Sequence, residues 1–404
     1  MINVAVLGYG TVGSGVVEVI NTNREIISKK AGDEINIKYV LDLREFPGDP
    51  VEKILVHDYE TILKDDSVKI VVEVMGGVEP AFTFAMKALG RGKNVCTSNK
   101  ELVANKGPEL LKAAKENNVN FLFEASCGGG IPIIRPLNSS LTADEILEIS
   151  GILNGTTNYI LTQMADCEWD FDKALKTAQD KGYAERNPEA DIEGYDACRK
   201  IAILSSLAYG KTVDYRDIYT EGISAVTSMD IEYAKKMECA IKLIASSRRE
   251  KDNIYALVTP MLVKKEHPLY SVNGVFNAVF VKGNMVGETM FYGSGAGKLP
   301  TASAVVGDVV DAARHLGEHI EVSWEDEKLT LAEEENSENR YFVRVGAKGD
   351  DTDKKIESLF GSVEYIFLDG IKETGFVTGN MTEKKFNEAY DRLDEKITRI
   401  RFKA

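Results

Sequence analysis

The chain has 404 residues, 44% of them hydrophobic, with 49 basic against 64 acidic side chains and a net charge of −15. That length predicts two or three globular domains, each able to bury a sizeable core. The acidic balance argues against a nucleic-acid or anionic-membrane surface, and no apolar run reaches membrane-spanning length.

Ile2–Leu7 reads as a short buried strand and Val12–Ile27 as a helix. Between them, Gly8-Tyr-Gly10-Thr-Val-Gly13 has the glycines for a tight turn, for close approach of backbone to a pyrophosphate, and for close helix–strand packing. The helix N-terminus adds amide donors and a positive dipole end, so this segment is read as a dinucleotide site. Further strands follow at Ile35–Asp42, Ile70–Met75, Asn94–Thr97 and Asn120–Glu124, with helices at Ala81–Gly90 and Leu110–Asn117. The alternation predicts an α/β, doubly wound parallel sheet over residues 1–130. After the second strand, Asp42 could bond ribose hydroxyls, favouring NAD. Arg44 could pair with a 2′-phosphate, favouring NADP, and the choice stays open. Val95-Cys-Thr-Ser-Asn-Lys100 ends a strand in small polar groups and a lysine, at the edge where an open α/β sheet holds its ligands.

From Ile131 the texture changes. Helical patterns cover Asn158–Ala165, Asp172–Lys181, Ala197–Tyr209 and Ile231–Ser246, and strand-like runs cover Ile254–Lys264 and Asn277–Lys282. Residues 131–297 are read as an α+β domain. A helix over Thr301–Leu316 follows Gly293-Ser-Gly-Ala-Gly-Lys298. The acid-rich stretch Glu325–Glu338 reads as a linker, spanning 319–339 in all. Tyr341–Val345, Thr352–Phe360, Val363–Leu368, Glu373–Thr378, Glu383–Leu393 and Ile397–Phe402 then read strand, helix, strand, strand, helix, strand. That order predicts a ferredoxin-like βαββαβ domain over 340–404.

Five cysteines, Cys96, Cys127, Cys167, Cys198 and Cys239, stand 31 to 41 residues apart. No pair is spaced for a zinc site or a redox motif, and the odd number fits a reducing cytosol. The first strand begins at once, so no signal peptide is expected and the expected location is cytoplasmic.

The segment Gly182–Lys200 packs five carboxylates, Glu185, Glu189, Asp191, Glu193 and Asp196, into twelve positions before Arg199 and Lys200 lead into Ile201-Ala-Ile-Leu204. On one helix Asp196 and Lys200 share a face, and a lysine set between apolar surface and carboxylates can be tuned to move protons. Hydride transfer from an alcohol needs a base. His57, His267, His315 and His319 sit in no motif and are assigned no role, which leaves Lys200 first and Lys100 second.

Glu124-Ala-Ser-Cys127-Gly-Gly-Gly130-Ile-Pro-Ile133 joins a carboxylate to a glycine-rich turn whose carbonyls can converge on a hard monovalent cation. Alternatively Cys127 is a nucleophile, or the turn is a plain hinge. Gly151-Ile-Leu-Asn-Gly-Thr-Thr157 is a small, polar strand-to-helix junction suited to close approach by cofactor or substrate.

Taken together, Gly8–Gly13, Thr97–Lys100, Glu124–Ile134, Gly151–Thr157, Gly182–Lys200 and Gly295–Thr301 resemble homoserine dehydrogenases, in the family's order. The resemblance implies interconversion of L-homoserine and L-aspartate 4-semialdehyde with NAD or NADP on a Rossmann-type domain. It makes Lys200 the proton donor and acceptor, Glu185 the ligand of the substrate amino group, Asp196 a holder of substrate or of Lys200, and Lys100 a neighbour of the reacting centre. Gly155 and Gly297 match cofactor-contacting glycines, with Thr11, Val12 and Ser98 beside them. Glu124 with the carbonyls of Cys127, Gly129 and Ile131 matches a sodium site. The helix near 298–318 would complete the nucleotide domain, and the middle domain would form a homodimer or homotetramer interface. The C-terminal domain resembles the regulatory ACT module, whose usual effector is threonine. Gly346-Ala-Lys-Gly-Asp-Asp-Thr352 stands where that module usually has an Asp-x-Pro-Gly loop, so effector binding and a plain interaction role both stay open. Two other classes share the cofactor loop: a semialdehyde or amino-acid dehydrogenase using Cys127, and a cofactor-sensing regulator. The regulator would have no need of the Glu185, Asp196 and Lys200 set.

Overall fold

The structure, a computed structural model, describes residues 1–346 and 348–403. Ala347, in the Gly346–Thr352 loop, lies outside the described residues. The chain forms two compact units. The first comprises Met1–Ile146, Arg199–Tyr215 and Gly283–Leu329, and the second comprises Leu147–Cys198, Arg216–Lys282 and the chain from Thr330. Among the described residues no helix is long and apolar enough to cross a membrane.

In the first unit, strands β1 (Ile2–Leu7), β2 (Ile35–Leu41), β3 (Leu55–Val56), β4 (Val68–Glu73), β5 (Asn94–Thr97) and β6 (Phe121–Leu122) form a parallel sheet in the order β3-β2-β1-β4-β5-β6. The order reverses at β1, as the doubly wound reading requires. Leu7 lies between Leu41 and Glu73 in the register, so the carboxyl ends of β1, β2 and β4 open side by side. Helices cover both faces, and the central strands are therefore apolar on both sides. Val4, Val6 and Val72 share one core with Val16 and Ile20 of the helix Thr11–Thr22 and with Val305 and Val309 of the helix Lys298–Arg314.

The helix after β5 runs Lys100–Glu116 with Pro108 inside it, rather than over Leu110–Asn117. The Asn99 side chain caps it by accepting from the Leu102 amide at 3.1 Å, and Leu102 and Val103 are buried in its first turn. Cap and burial outweigh the single helical bond that a proline deletes. The acid-rich stretch read as a linker carries a short strand, Glu325–Lys328, that pairs with Lys211–Thr212.

In the second unit, β7 (Ile146–Ile152), β8 (Cys239–Glu250), β9 (Asn253–Lys264), β10 (Phe276–Gly283), β11 (Tyr341–Val345), β12 (Glu364–Ile366), β13 (Thr374–Val377) and β14 (Lys396–Phe402) lie in the order β10-β7-β8-β9-β14-β11-β13-β12. The expected helix Ile231–Ser246 is corrected here. A helix covers Ser228–Lys236, and the chain becomes β8 from Cys239. Glu238 adopts φ 53°, a left-handed conformation that ends the helix. Beyond it Leu243, Ile244 and Ala245 are buried in succession, and a strand buried on both faces carries no period-two signal.

The C-terminal elements run strand, helix (Asp350–Phe360), strand, strand, helix (Glu383–Asp391), strand. They enclose a core of Tyr341, Val343, Phe360, Phe376 and Phe386. Their last strand, β14, pairs in parallel with β9, Met261 opposite Arg401. Arg401 is 2% exposed and bonds Glu383 on the C-terminal side and Glu221 (3.3 Å) on the other.

Lys242 on β8 is 2% exposed, and its ammonium donates to Asn158 Oδ1 (3.2 Å), Val272 O (2.7 Å) and Asn273 Oδ1 (2.7 Å). Burial pushes its pKa down from 10.5 to about 8. Between those values the unfolded chain holds a proton that the folded chain lacks, so this group's contribution to stability rises as pH rises through that window. Lys242→Met leaves three buried acceptors without their donor. It is expected to lower the unfolding free energy near neutral pH by about 2–4 kcal/mol. It should also remove the rise between pH 8 and 10.5, and urea unfolding across that range measures both effects.

Candidate active site

The cofactor end is built where β1 meets the helix Thr11–Thr22. A Cβ on Gly13 would lie 2.0 Å from the Gly8 carbonyl oxygen, so only glycine lets the helix start this close to the strand. Thr11 and Val12 form its first turn, and Gly10 at the N-cap brings no side chain to the orphan amides, which leaves them for an anion. Beside this turn lies a cavity of about 540 Å³, lined by Gly8, Gly10, Asp42, Arg44, His57 and Met75.

Asp42 accepts from the Tyr9 amide (2.8 Å), the Arg44 amide (3.0 Å) and the Arg44 guanidinium (2.9 and 2.8 Å). The Arg44 guanidinium holds the Asp42 carboxyl well below the usual carboxylate range. The Arg44 side chain itself remains 61% exposed. His57, assigned no role from sequence, lines the same cavity, with Nδ1 at 2.7 Å from the Asp42 carbonyl.

Glu73 closes β4 and is fully buried. It accepts from Thr97 Oγ1 (2.6 Å) and the Met75 amide (2.8 Å), and Asn99 bonds both Thr97 Oγ1 (2.9 Å) and Gly77 O (2.6 Å). Burial raises the Glu73 pKa. This chain of bonds ties the loop after β4 to the place where Ser98 and half-buried Lys100 begin the next helix.

Lys200 stands on the helix Tyr195–Tyr209 and is 9% exposed. The Cys127 thiol lies 3.8 Å from the Lys200 carbonyl oxygen and is buried. The preceding Glu124 carboxylate is taken up by three backbone amides, those of Ile133 (2.6 Å), Ile134 (2.8 Å) and Arg135 (2.8 Å). Its own amide donates to Asp308, whose pKa burial pushes up to about 8. At Gly129, with φ 56°, a Cβ would meet the Gly295 carbonyl at 2.3 Å, so the glycine-rich turn and the Gly295–Gly297 run touch backbone to backbone. Gly297 then caps the helix Lys298–Arg314.

In the second unit the junction after β7 opens the helix Gly155–Cys167, with Asn154 at its N-cap. The Asn154 carboxamide donates to Asp191 (2.7 Å) and Asp196 (2.9 Å). Thr156 Oγ1 donates to Tyr183 O at 2.7 Å, which brings the turn carrying exposed Glu185 to the same helix start. Glu189 and Asp191 lie on the short helix Glu189–Ile192, followed by Glu193. Thus the first unit gathers Gly8–Gly13, Asp42, Arg44, Ser98 and Lys100, while the second gathers Gly155, Glu185, Asp191 and Asp196. Glu73 escaped the sequence reading, and Asn154 entered it only as part of the Gly151–Thr157 junction, without a role of its own. An asparagine just before a helix is an N-cap signal, but its reach to two distant aspartates has no local signature.

A family model described as "Homoserine dehydrogenase, NAD binding domain" matches residues 8–124, and one described as "Homoserine dehydrogenase" matches residues 132–310. The homoserine dehydrogenase of Bacillus subtilis is 44% identical over 318 residues, 78% of this chain and 73% of its own. The crystal structure of a homoserine dehydrogenase from Thiobacillus denitrificans, 37% identical, superposes with a TM-score of 0.91 over 100% of this chain and 98% of its own. A hyperthermophilic archaeal homoserine dehydrogenase mutant in complex with NADPH is 30% identical, with a TM-score of 0.65 over 77% of this chain and 97% of its own.

Gly13→Ala forces the helix away from β1. It is expected to weaken NADPH binding by about tenfold or more, read by fluorescence titration, and to lower the melting temperature.

Proposed function

This chain belongs to the homoserine dehydrogenase family, and on that premise we propose how its residues divide the reaction. It is an NAD(P)-dependent oxidoreductase that interconverts L-homoserine and L-aspartate 4-semialdehyde, a step of threonine, methionine and isoleucine biosynthesis. Bound nicotinamide supplies the acceptor or donor of hydride. Lys200 takes the hydroxyl proton when homoserine is oxidised and returns it to the carbonyl oxygen in reduction. One observation carries this: Asp196 and Lys200 stand four residues apart on one helix, and both are buried. A lysine so shielded exchanges its proton with a bound substrate rather than with bulk water.

Glu185 receives the substrate ammonium, Asp196 holds substrate or Lys200, and Lys100 stands close to the reacting atoms. Gly8, Gly10, Thr11, Val12, Gly13, Ser98, Gly155 and Gly297 take the cofactor. Arg44, exposed beside the cavity, is the group suited to a 2′-phosphate, whereas both oxygens of Asp42 already accept bonds. NADP is therefore the better-supported cofactor of the two. Cys127 is 1% exposed, so it is read as packing rather than as a nucleophile.

A sodium ion would draw on the main-chain oxygens of Glu124, Cys127, Gly129 and Ile131. The Glu124 carboxylate, filled by three amides, would shape that turn instead of binding the ion. The C-terminal elements are read as an ACT-like module, supported by their strand order β14-β11-β13-β12, with threonine as a candidate effector. A cytoplasmic homodimer or homotetramer completes the reading.

Lys200→Ala should cut kcat by about a thousandfold while NADPH still binds; parental turnover in a folded variant would remove the mechanism. Arg44→Ala should lower kcat/KM with NADP by about tenfold and leave NAD nearly unchanged, which initial rates with each cofactor measure directly.

A further inference from the structure

Asn154 does two jobs with one carboxamide. Its Oδ1 accepts from the Thr157 amide at 2.9 Å, the usual work of a helix N-cap. That bond decides which end of the amide is oxygen, and so it aims the Nδ2 group. The two Nδ2 hydrogens are then delivered to two different carboxylates, Asp191 Oδ1 at 2.7 Å and Asp196 Oδ2 at 2.9 Å. Asn154 is 5% exposed and Asp196 is 4% exposed.

Two carboxylates held this close repel each other, and the repulsion grows as water is excluded. A donor placed between them offsets that cost and fixes where each oxygen points. We propose that Asn154 is a positioning residue: its cap-oriented amide holds Asp191 and Asp196 as a pair that receives the ammonium of the amino-acid substrate. This rests on the role given to Asp196 above and adds Asp191, which sequence reasoning left without one. A helix cap needs only an acceptor. Nothing in capping calls for both amide hydrogens to be spent on acidic side chains that lie 37 and 42 residues away.

Serine separates the two jobs, since its hydroxyl caps a helix but is too short to bridge the aspartates. In the full-length enzyme, Asn154→Ser should keep the melting temperature within about 3 °C of the parent and leave the NADPH dissociation constant within about twofold. It should lower kcat/KM for L-homoserine by about thirtyfold, the size expected when hydrogen bonds to charged groups are lost. In an Asp196→Asn background the same serine change should cost less than about threefold, because the partner it orients has lost its charge. Asn154→Ser with kcat/KM within about threefold of the parent overturns the proposal, and so does an equal loss in both backgrounds. An Asp196→Asn enzyme with parental kcat/KM would instead sink the role of Asp196 itself. Parental activity of Lys200→Ala would sink the proton-transfer assignment and leave this cycle standing.

Discussion

An ionised group taken out of water has to find its partners inside the protein, and much of this molecule is arranged around where it does so. Glu73, Glu124, Asp308, Lys242 and Arg401 are all nearly excluded from solvent. Each answers the same constraint with a different set of partners. Glu124 gathers the amides of Ile133, Ile134 and Arg135, and this folds the glycine-rich turn back on itself. Asp308, on the returning helix Lys298–Arg314, takes the Glu124 amide and the Arg135 guanidinium. The turn and that helix are thus locked by hydrogen bonds as well as by packing. Lys242 has three neutral acceptors within reach and holds the Val272–Asn273 loop to β8.

The chemistry draws on the same constraint. In the division of labour proposed above, a lysine and a carboxylate stand in for the histidine that commonly serves as the base. Here the helix Tyr195–Tyr209 carries one of each, a turn apart. The cofactor loop works in the opposite sense: backbone amides, with no side-chain charge, are left to meet a phosphate, and the charged pair Asp42 and Arg44 stands beside them. On that proposal, one end of the reaction uses fixed dipoles and the other uses titratable groups.

The sheet of the first unit was legible because its strands alternate with helices and its glycines stand at turns that local geometry demands. Gly13 is the clearest instance, since the residue type follows from one backbone contact. The strand Cys239–Glu250 was not legible. Its run of buried residues has no period, and the event that separates it from the preceding helix is a single left-handed residue, Glu238, of a type that does not announce it. The candidate site divides similarly. Lys200, Asp196 and Glu185 fall in one dense segment and could be singled out. Asn154 and Glu73 matter through partners far along the chain, and Pro108 concealed the first half of the helix that Lys100 begins.

Met261 and Leu262 face Arg401 and Phe402, and the Lys403 amide donates to Leu262 O at 2.9 Å. The final strand therefore covers one flank of β9 and joins it to β11 in the sheet that also holds β7 and β8. A chain cut before Tyr341 would leave β9 with bare amides and carbonyls along that flank, an adhesive border open to any extended segment. Whatever else the C-terminal elements do, they act as a selvedge that keeps β9 from fraying into its neighbours.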